Sequence, residues 1–154
     1  MGCTVESTHL GLEHLLDAEH VALTSSFLPF AEIAAQAADA KKATDVLILD
    51  VGDLMGITDL FVIASVSNRR LAILVAEEME LAVKKAGGPV PISVEGLEEA
   101  TWILIDFGPF VVHVFQQETR EFYDLERLWR DAPRIAWTPL VMPPLPSEEE
   151  SSID

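Results

Sequence analysis

Three aspartates, Asp50, Asp53 and Asp59, are the nearest thing in this chain to a catalytic constellation. Phosphoryl or nucleotidyl transfer needs two or three carboxylates converging on Mg²⁺, usually an Asp-x-Asp pair behind a Gly-Ser turn that cradles the phosphates. Here Asp50 and Asp53 stand three apart at a strand end and a loop, Asp59 opens the next strand, and no Lys or Arg lies near them. Capping of strand ends and turns accounts for them better than metal binding does. Asp106-Phe107-Gly108 spells a kinase triplet, but without a Gly-rich loop, a strand lysine or a His-Arg-Asp run it is a turn between strands. His9, His14 and His20 are spaced by five and six, not by the four of one helix face, and His113 has no Cys, Glu or second His at ligand spacing. No metal or cofactor is therefore expected. For His113 the sequence leaves a buried hydrogen-bonding role and a partner contact equally open.

With catalysis so thinly supported, composition decides which partners are allowed. The chain has 154 residues and 49% hydrophobic content, enough to bury one core of ordinary size. Its net charge of -16 repels phosphate backbones, so direct, specific nucleic-acid binding is not expected. All 10 basic residues fall between Lys41 and Arg134, together with 16 of the 26 acidic ones. In a crowded anionic assembly such a chain is steered to an exposed basic protein, not to RNA; the plain alternative is that the charge serves solubility. Cys3 is the single cysteine, which fits a reducing cytoplasm. The longest uncharged run, Ile135 to Ser147, is too short and too broken by proline to span a bilayer. Glu6 stands where an N-acylation signal wants Ser or Thr, and no Arg- and Ser-rich presequence follows, so neither lipidation nor organelle import is expected.

The elements that would position these side chains follow from periodicity. Residues 1–29 read as a flexible leader, 30–134 as one α/β domain, and 135–154, with its four prolines and run of glutamates, as a flexible acidic tail. Phe30 to Lys42 predicts a helix with Ile33, Ala34 and Ala37 on its inner face. Asp45 to Val51 and Leu60 to Ser65 are apolar runs expected as adjacent strands covered on both faces. Ser67 or Asn68 can cap a helix carrying Leu71, Leu74, Val75, Met79, Ala82 and Val83 on its sheet side, ended by Gly87-Gly88. Pro91 to Val94 is a weak strand; Trp102 to Phe107 and Phe110 to Phe115 form a hairpin around Gly108-Pro109. Glu118 to Trp129 predicts a last helix whose stripe of Phe122, Leu125 and Trp129 faces the core. The expected fold is thus a single small α/β domain, a mixed sheet of about five strands with flanking helices.

Taken in order, Asp45-Val-Leu-Ile-Leu-Asp-Val, Thr58-Asp-Leu-Phe-Val-Ile-Ala-Ser, Ser67-Asn-Arg, Val94-Glu-Gly-Leu, Trp102, Asp106, Val111-Val-His-Val-Phe and Arg120-Glu-Phe-Tyr-Asp-Leu-Glu-Arg-Leu-Trp closely resemble the successive motifs of the ribosomal silencing factors, the bacterial relatives of plant Iojap. The resemblance covers about Phe30 to Arg134. It implies a nucleotidyltransferase-like fold without the catalytic motif, and a non-enzymatic translation regulator. It further implies binding to the fourteenth protein of the large subunit's L series, which blocks joining of the small subunit and lowers translation under nutrient limitation.

Trp, Tyr and Arg dominate binding hot spots because they bury much area with few lost rotamers. The motif positions therefore put the partner-binding surface at Trp102, His113, Arg120, Tyr123, Leu125 and Glu126. The plainer alternative is that Trp102 and Tyr123 merely edge the core. Residual nucleotide-binding or nucleotidyltransferase activity is the rival function, and an acidic adaptor with a non-ribosomal partner is a third. A homodimer stays open.

Overall fold

A computed structural model describes residues 26–52, 58–124, 127 and 130–140. Helix α1 occupies 26–40, followed by strands β1 (Thr44–Asp50) and β2 (Leu60–Val66) and helix α2 (Arg69–Lys85). Then come β3 (Ser93–Glu95), β4 (Trp102–Asp106), β5 (Phe110–Gln116), helix α3 (Gln117–Tyr123) and β6 (Arg134–Ile135). The strands make one six-stranded sheet in the order β3-β4-β5-β2-β1-β6. β2 and β5 pair in parallel and every other pair is antiparallel, so the sheet is mixed. A parallel pair needs a crossover, and α2 lies within the one that joins β2 to β5.

The period of two divides each strand between two layers. Ile48, Leu60, Val62, Ala64, Ile103, Ile105, Val112 and Val114 point to one face, where α1 and α2 cover them. Leu49, Phe61, Ile63 and Phe115 point to the other, with Trp102 and Val111 at their margin. β2 is buried along its whole length, as an apolar run paired on both sides should be.

Helix α2 begins where the sequence allows it: the Asn68 side chain accepts from the Leu71 N–H at 2.8 Å, and Ala86 ends the helix before Gly87 turns to a positive φ of 80°. Two inner faces are rotated from expectation. In α1 the buried residues are Ala31, Ala34, Ala35 and Ala38, and Ile33 is only partly covered. In α2, Val75, Met79 and Val83 are buried as expected, but they are joined by Ala72 and Ala76 while Leu74 is exposed. Helix α1 thus buries alanines, and α2 adds two alanines to its larger buried residues, where hydrophobicity alone favoured Ile33 and Leu74.

Two further expectations give way. The body does not stop at Arg134: Ile135 pairs with Ile48 as part of a sixth strand, and the Trp137 indole N–H donates to the Val46 carbonyl at 3.1 Å. A two-residue strand is too short to show any alternation in sequence. The helix expected over Glu118 to Trp129 is also interrupted: Asp124 adopts a left-handed conformation with φ 48° and closes α3 at Tyr123, and Arg127 is helical again beyond it. Leu125 and Trp129 lie outside the described residues. Phe122 does not face the core; it is 82% exposed, since the inward position of α3 is taken by Arg120.

Candidate functional site

The site is built where the loop after β3 delivers Trp102 to the sheet. Gly96 has a φ of 85° and a Cβ there would collide with the Trp102 carbonyl oxygen, so this turn accepts only glycine. Gln116 holds the other side, its backbone N–H donating to Thr101 O at 2.8 Å and its side-chain amide to Ala100 O at 3.0 Å. Trp102 therefore enters β4 from a fixed position.

Cross-strand register then assembles an aromatic face. Trp102 sits opposite Phe115, Leu104 opposite His113, and Asp106 opposite Val111. The Trp102 and Phe115 rings stack with centroids 4.9 Å apart, and Tyr123 of α3 lies 5.1 Å from Trp102 on its other flank. Phe122 meets Tyr123 edge-on at 5.1 Å, while Phe61 meets His113 edge-on at 4.5 Å. Such pairs contribute about 0.5 to 1.5 kcal/mol each beyond area burial, enough to hold the rings in one arrangement. Tyr123 is 53% exposed, so an ordered aromatic base carries an outward-facing aromatic surface.

His113 lies under this surface and is only 4% exposed. The Trp102 Nε1–H donates to His113 Nδ1 at 3.0 Å. An indole nitrogen can only donate, so Nδ1 must accept and the neutral ring carries its proton on Nε2. Burial pushes the His113 pKa down to about 4, which keeps the ring neutral at pH 7.

Arg120 is only 7% exposed. Its Nη1 donates to Asp45 O at 2.6 Å and to Ser65 Oγ at 2.7 Å, tying α3 to β1 and β2. Of the six residues singled out from sequence, Trp102, His113 and Tyr123 come together, Arg120 lies behind them inside the body, and Leu125 and Glu126 fall outside the described residues. Sequence reasoning missed Phe122 and Phe61. β5 runs into α3 without an intervening residue, so the strand sets the helix phase, which a stripe counted on the helix alone does not include.

The rim of the face is acidic: Glu95, Glu98 and Glu99 line one depression with Trp102, Glu118 lines another with Phe122 and Tyr123, and all four are exposed. Of the three aspartates first considered for catalysis, Asp53 lies outside the described residues, and Asp50 is engaged with backbone. Asp50 Oδ1 accepts from the Gly52 N–H at 3.2 Å, the capping expected of it, and Asp106 Oδ1 likewise accepts from the Gly108 N–H at 2.8 Å in the β4-β5 turn. Among the described residues no three His, Cys, Asp or Glu groups gather as a metal site, and no helix is long and apolar enough to cross a membrane.

Exposed, pre-packed aromatic side chains beside carboxylates are the surface chemistry found where proteins dock on other macromolecules. Comparisons with known proteins identify the family. Residues 24–153 match the family model described as ribosomal silencing factor during starvation, and the chain belongs to that family. It is 39% identical over 102 residues to the ribosomal silencing factor RsfS of Bacillus subtilis, covering 66% of this chain and 86% of that one. It is 32% identical over 117 residues to the chloroplastic protein Iojap of Zea mays, covering 75% of this chain and 48% of that one. Among solved structures, a Chromobacterium violaceum protein superposes with a TM-score of 0.65 at 26% identity, over 77% of this chain and 97% of that one.

Proposed function

We infer that this chain is a translation regulator that acts by occlusion and not by catalysis. Its aromatic face docks on one protein of the large ribosomal subunit, the fourteenth of the L series, and the bound domain sterically excludes the small subunit. Translation then falls when nutrients are limiting. We read the chain as cytoplasmic, where it would meet assembled subunits.

The observation that carries this reading is the exposed Phe122-Tyr123 pair seated on the Trp102-Phe115 stack. Rigid aromatics bury area at low entropic cost, which is what a hot spot needs. The acidic rim supports a basic protein surface as the target and disfavours bare RNA. Against nucleotidyl transfer stands the engagement of Asp50 in backbone capping.

Co-sedimentation with purified ribosomal subunits tests the reading. The protein should pellet with large subunits and not with small ones, and should slow formation of the joined particle in light scattering. Equal binding to both subunits, or binding without any effect on joining, overturns it. Size-exclusion chromatography of the free protein separates the homodimer, whose interface would compete for the same face.

A further inference from the structure

The loop between β3 and β4 shares one surface depression with the Trp102 side chain. Its backbone is not one the chain would hold unaided. Gly96 and Ala100 both have positive φ, 85° and 54°, and Ala100 carries a Cβ that this region disfavours. Such a conformation persists only where surrounding bonds over-determine it. Ala100 is buried and its N–H donates to the Gly96 carbonyl at 2.8 Å, which closes the loop on itself. The tip, Leu97, Glu98 and Glu99, is exposed.

Two side chains hold this loop from outside, and each stands at a helix start where its own helix gains little from it. Arg69 and Arg70 open α2, whose first turn has no acidic residue, the reverse of what a helix dipole favours. Arg69 Nε and Nη2 instead both donate to the Glu98 carbonyl, at 3.1 and 2.9 Å, a grip on one oxygen that needs the planar guanidinium. Gln116 occupies the N-cap position of α3 without a side-chain cap bond, and its amide donates to the Ala100 carbonyl at 3.0 Å. Gln116 thus grips the base of the loop, next to Trp102, and Arg69 grips its tip.

We propose that Arg69 is a positioning residue of the docking face: it locks the loop tip, so that the wall beside Trp102 has its binding shape before the partner arrives. The proposal rests on the docking reading above and deepens it. A surface that must first order itself loses affinity in proportion to the time it spends out of the competent shape. Arg69 is exposed, so three roles leave different traces in its variants. A direct contact weakens binding and leaves the free loop as it was. A bond that serves only stability lowers the urea midpoint. A positioning bond loosens the loop in the free chain and weakens binding, with the midpoint unchanged.

The full-length chain is compared with Arg69→Ala and Arg69→Lys in three measurements. Hydrogen exchange of the Ala100 amide, followed by NMR in the free chain, reads opening of the loop. Urea unfolding reads the whole domain, and co-sedimentation with purified large subunits reads docking. Arg69→Ala should lose most of the protection at Ala100 and bind about two- to fivefold more weakly, as for a loop in place between half and a fifth of the time, at an unchanged midpoint. Arg69→Lys keeps the charge but not the fork, so it should fall short of the parent in both loop protection and binding. Unchanged exchange at Ala100, a loosened loop that binds as the parent does, a lowered midpoint, or a lysine variant equal to the parent each overturns the role of Arg69 alone. A parent chain that does not bind large subunits takes down the docking reading and this role together.

Discussion

Replacing Arg120 should damage the fold before it damages recognition. The guanidinium is 7% exposed and donates from Nη1 to the Asp45 carbonyl and to Ser65 Oγ, at 2.6 and 2.7 Å. These bonds join α3 to β1 and β2, and α3 is the element that brings Tyr123 against Trp102. A hydrogen bond to a charged group is worth about 1.5 to 3 kcal/mol, and truncation leaves the buried acceptors unmet. Arg120→Ala should therefore lose about 3 to 5 kcal/mol, a large share of the roughly 5 to 15 kcal/mol available to a domain of this size. Ser65→Ala removes one of the two acceptors and should cost about 1 to 2 kcal/mol in the parent. In the Arg120→Ala background the same change should cost almost nothing, giving a coupling of about 1 to 2 kcal/mol. Urea unfolding of the four proteins, followed by tryptophan fluorescence and far-UV circular dichroism, measures each term. If Arg120→Ala costs less than about 1 kcal/mol yet abolishes subunit binding, Arg120 is a contact residue and its assignment to the interior is wrong.

Tyr123→Ala should weaken large-subunit binding by about 1 to 4 kcal/mol with little change in the urea midpoint, because the ring is half exposed in the free chain; normal binding would clear the aromatic face of this role. Trp102→Ala should show a comparable loss of binding with some loss of stability, since its ring also stacks on Phe115 and its N–H serves His113. Burial lowers the His113 pKa from 6.5 to about 4, so between those values the unfolded chain binds the extra proton and stability must rise with pH. The stability advantage of the parent over His113→Asn should thus be full above pH 6.5 and shrink by about 3 kcal/mol on going down to pH 4, and parallel pH profiles would refute it. Deleting 135–154 should destabilise the domain by about 2 to 4 kcal/mol, because it removes Ile135 from the sheet edge and Trp137 from Val46; an unchanged urea midpoint would show that β6 contributes nothing.

Much of the frame was legible in the residues themselves. Apolar runs marked β1, β2, β4 and β5 to within a residue or two, Asn68 and Gly87 marked the ends of α2, and Gly108-Pro109 marked the hairpin turn, because period and cap chemistry are local properties. The family was legible as well, since an ordered set of motifs survives in linear sequence. What the chain alone did not decide was direction: which side of a helix turns inward, and which of two neighbouring polar groups is spent inside. Phe122 looked like core and is exposed, while Arg120 looked like surface and is buried, because α3 grows directly out of β5 and inherits its rotation. His113 shows the same limit more sharply. Its sequence neighbours say nothing of Trp102, eleven residues away, and only the antiparallel register of β4 on β5 brings the indole N–H to Nδ1 and leaves Nε2 buried. Tautomer and pKa are consequences of that pairing, and pairing between strands is a property of the folded sheet.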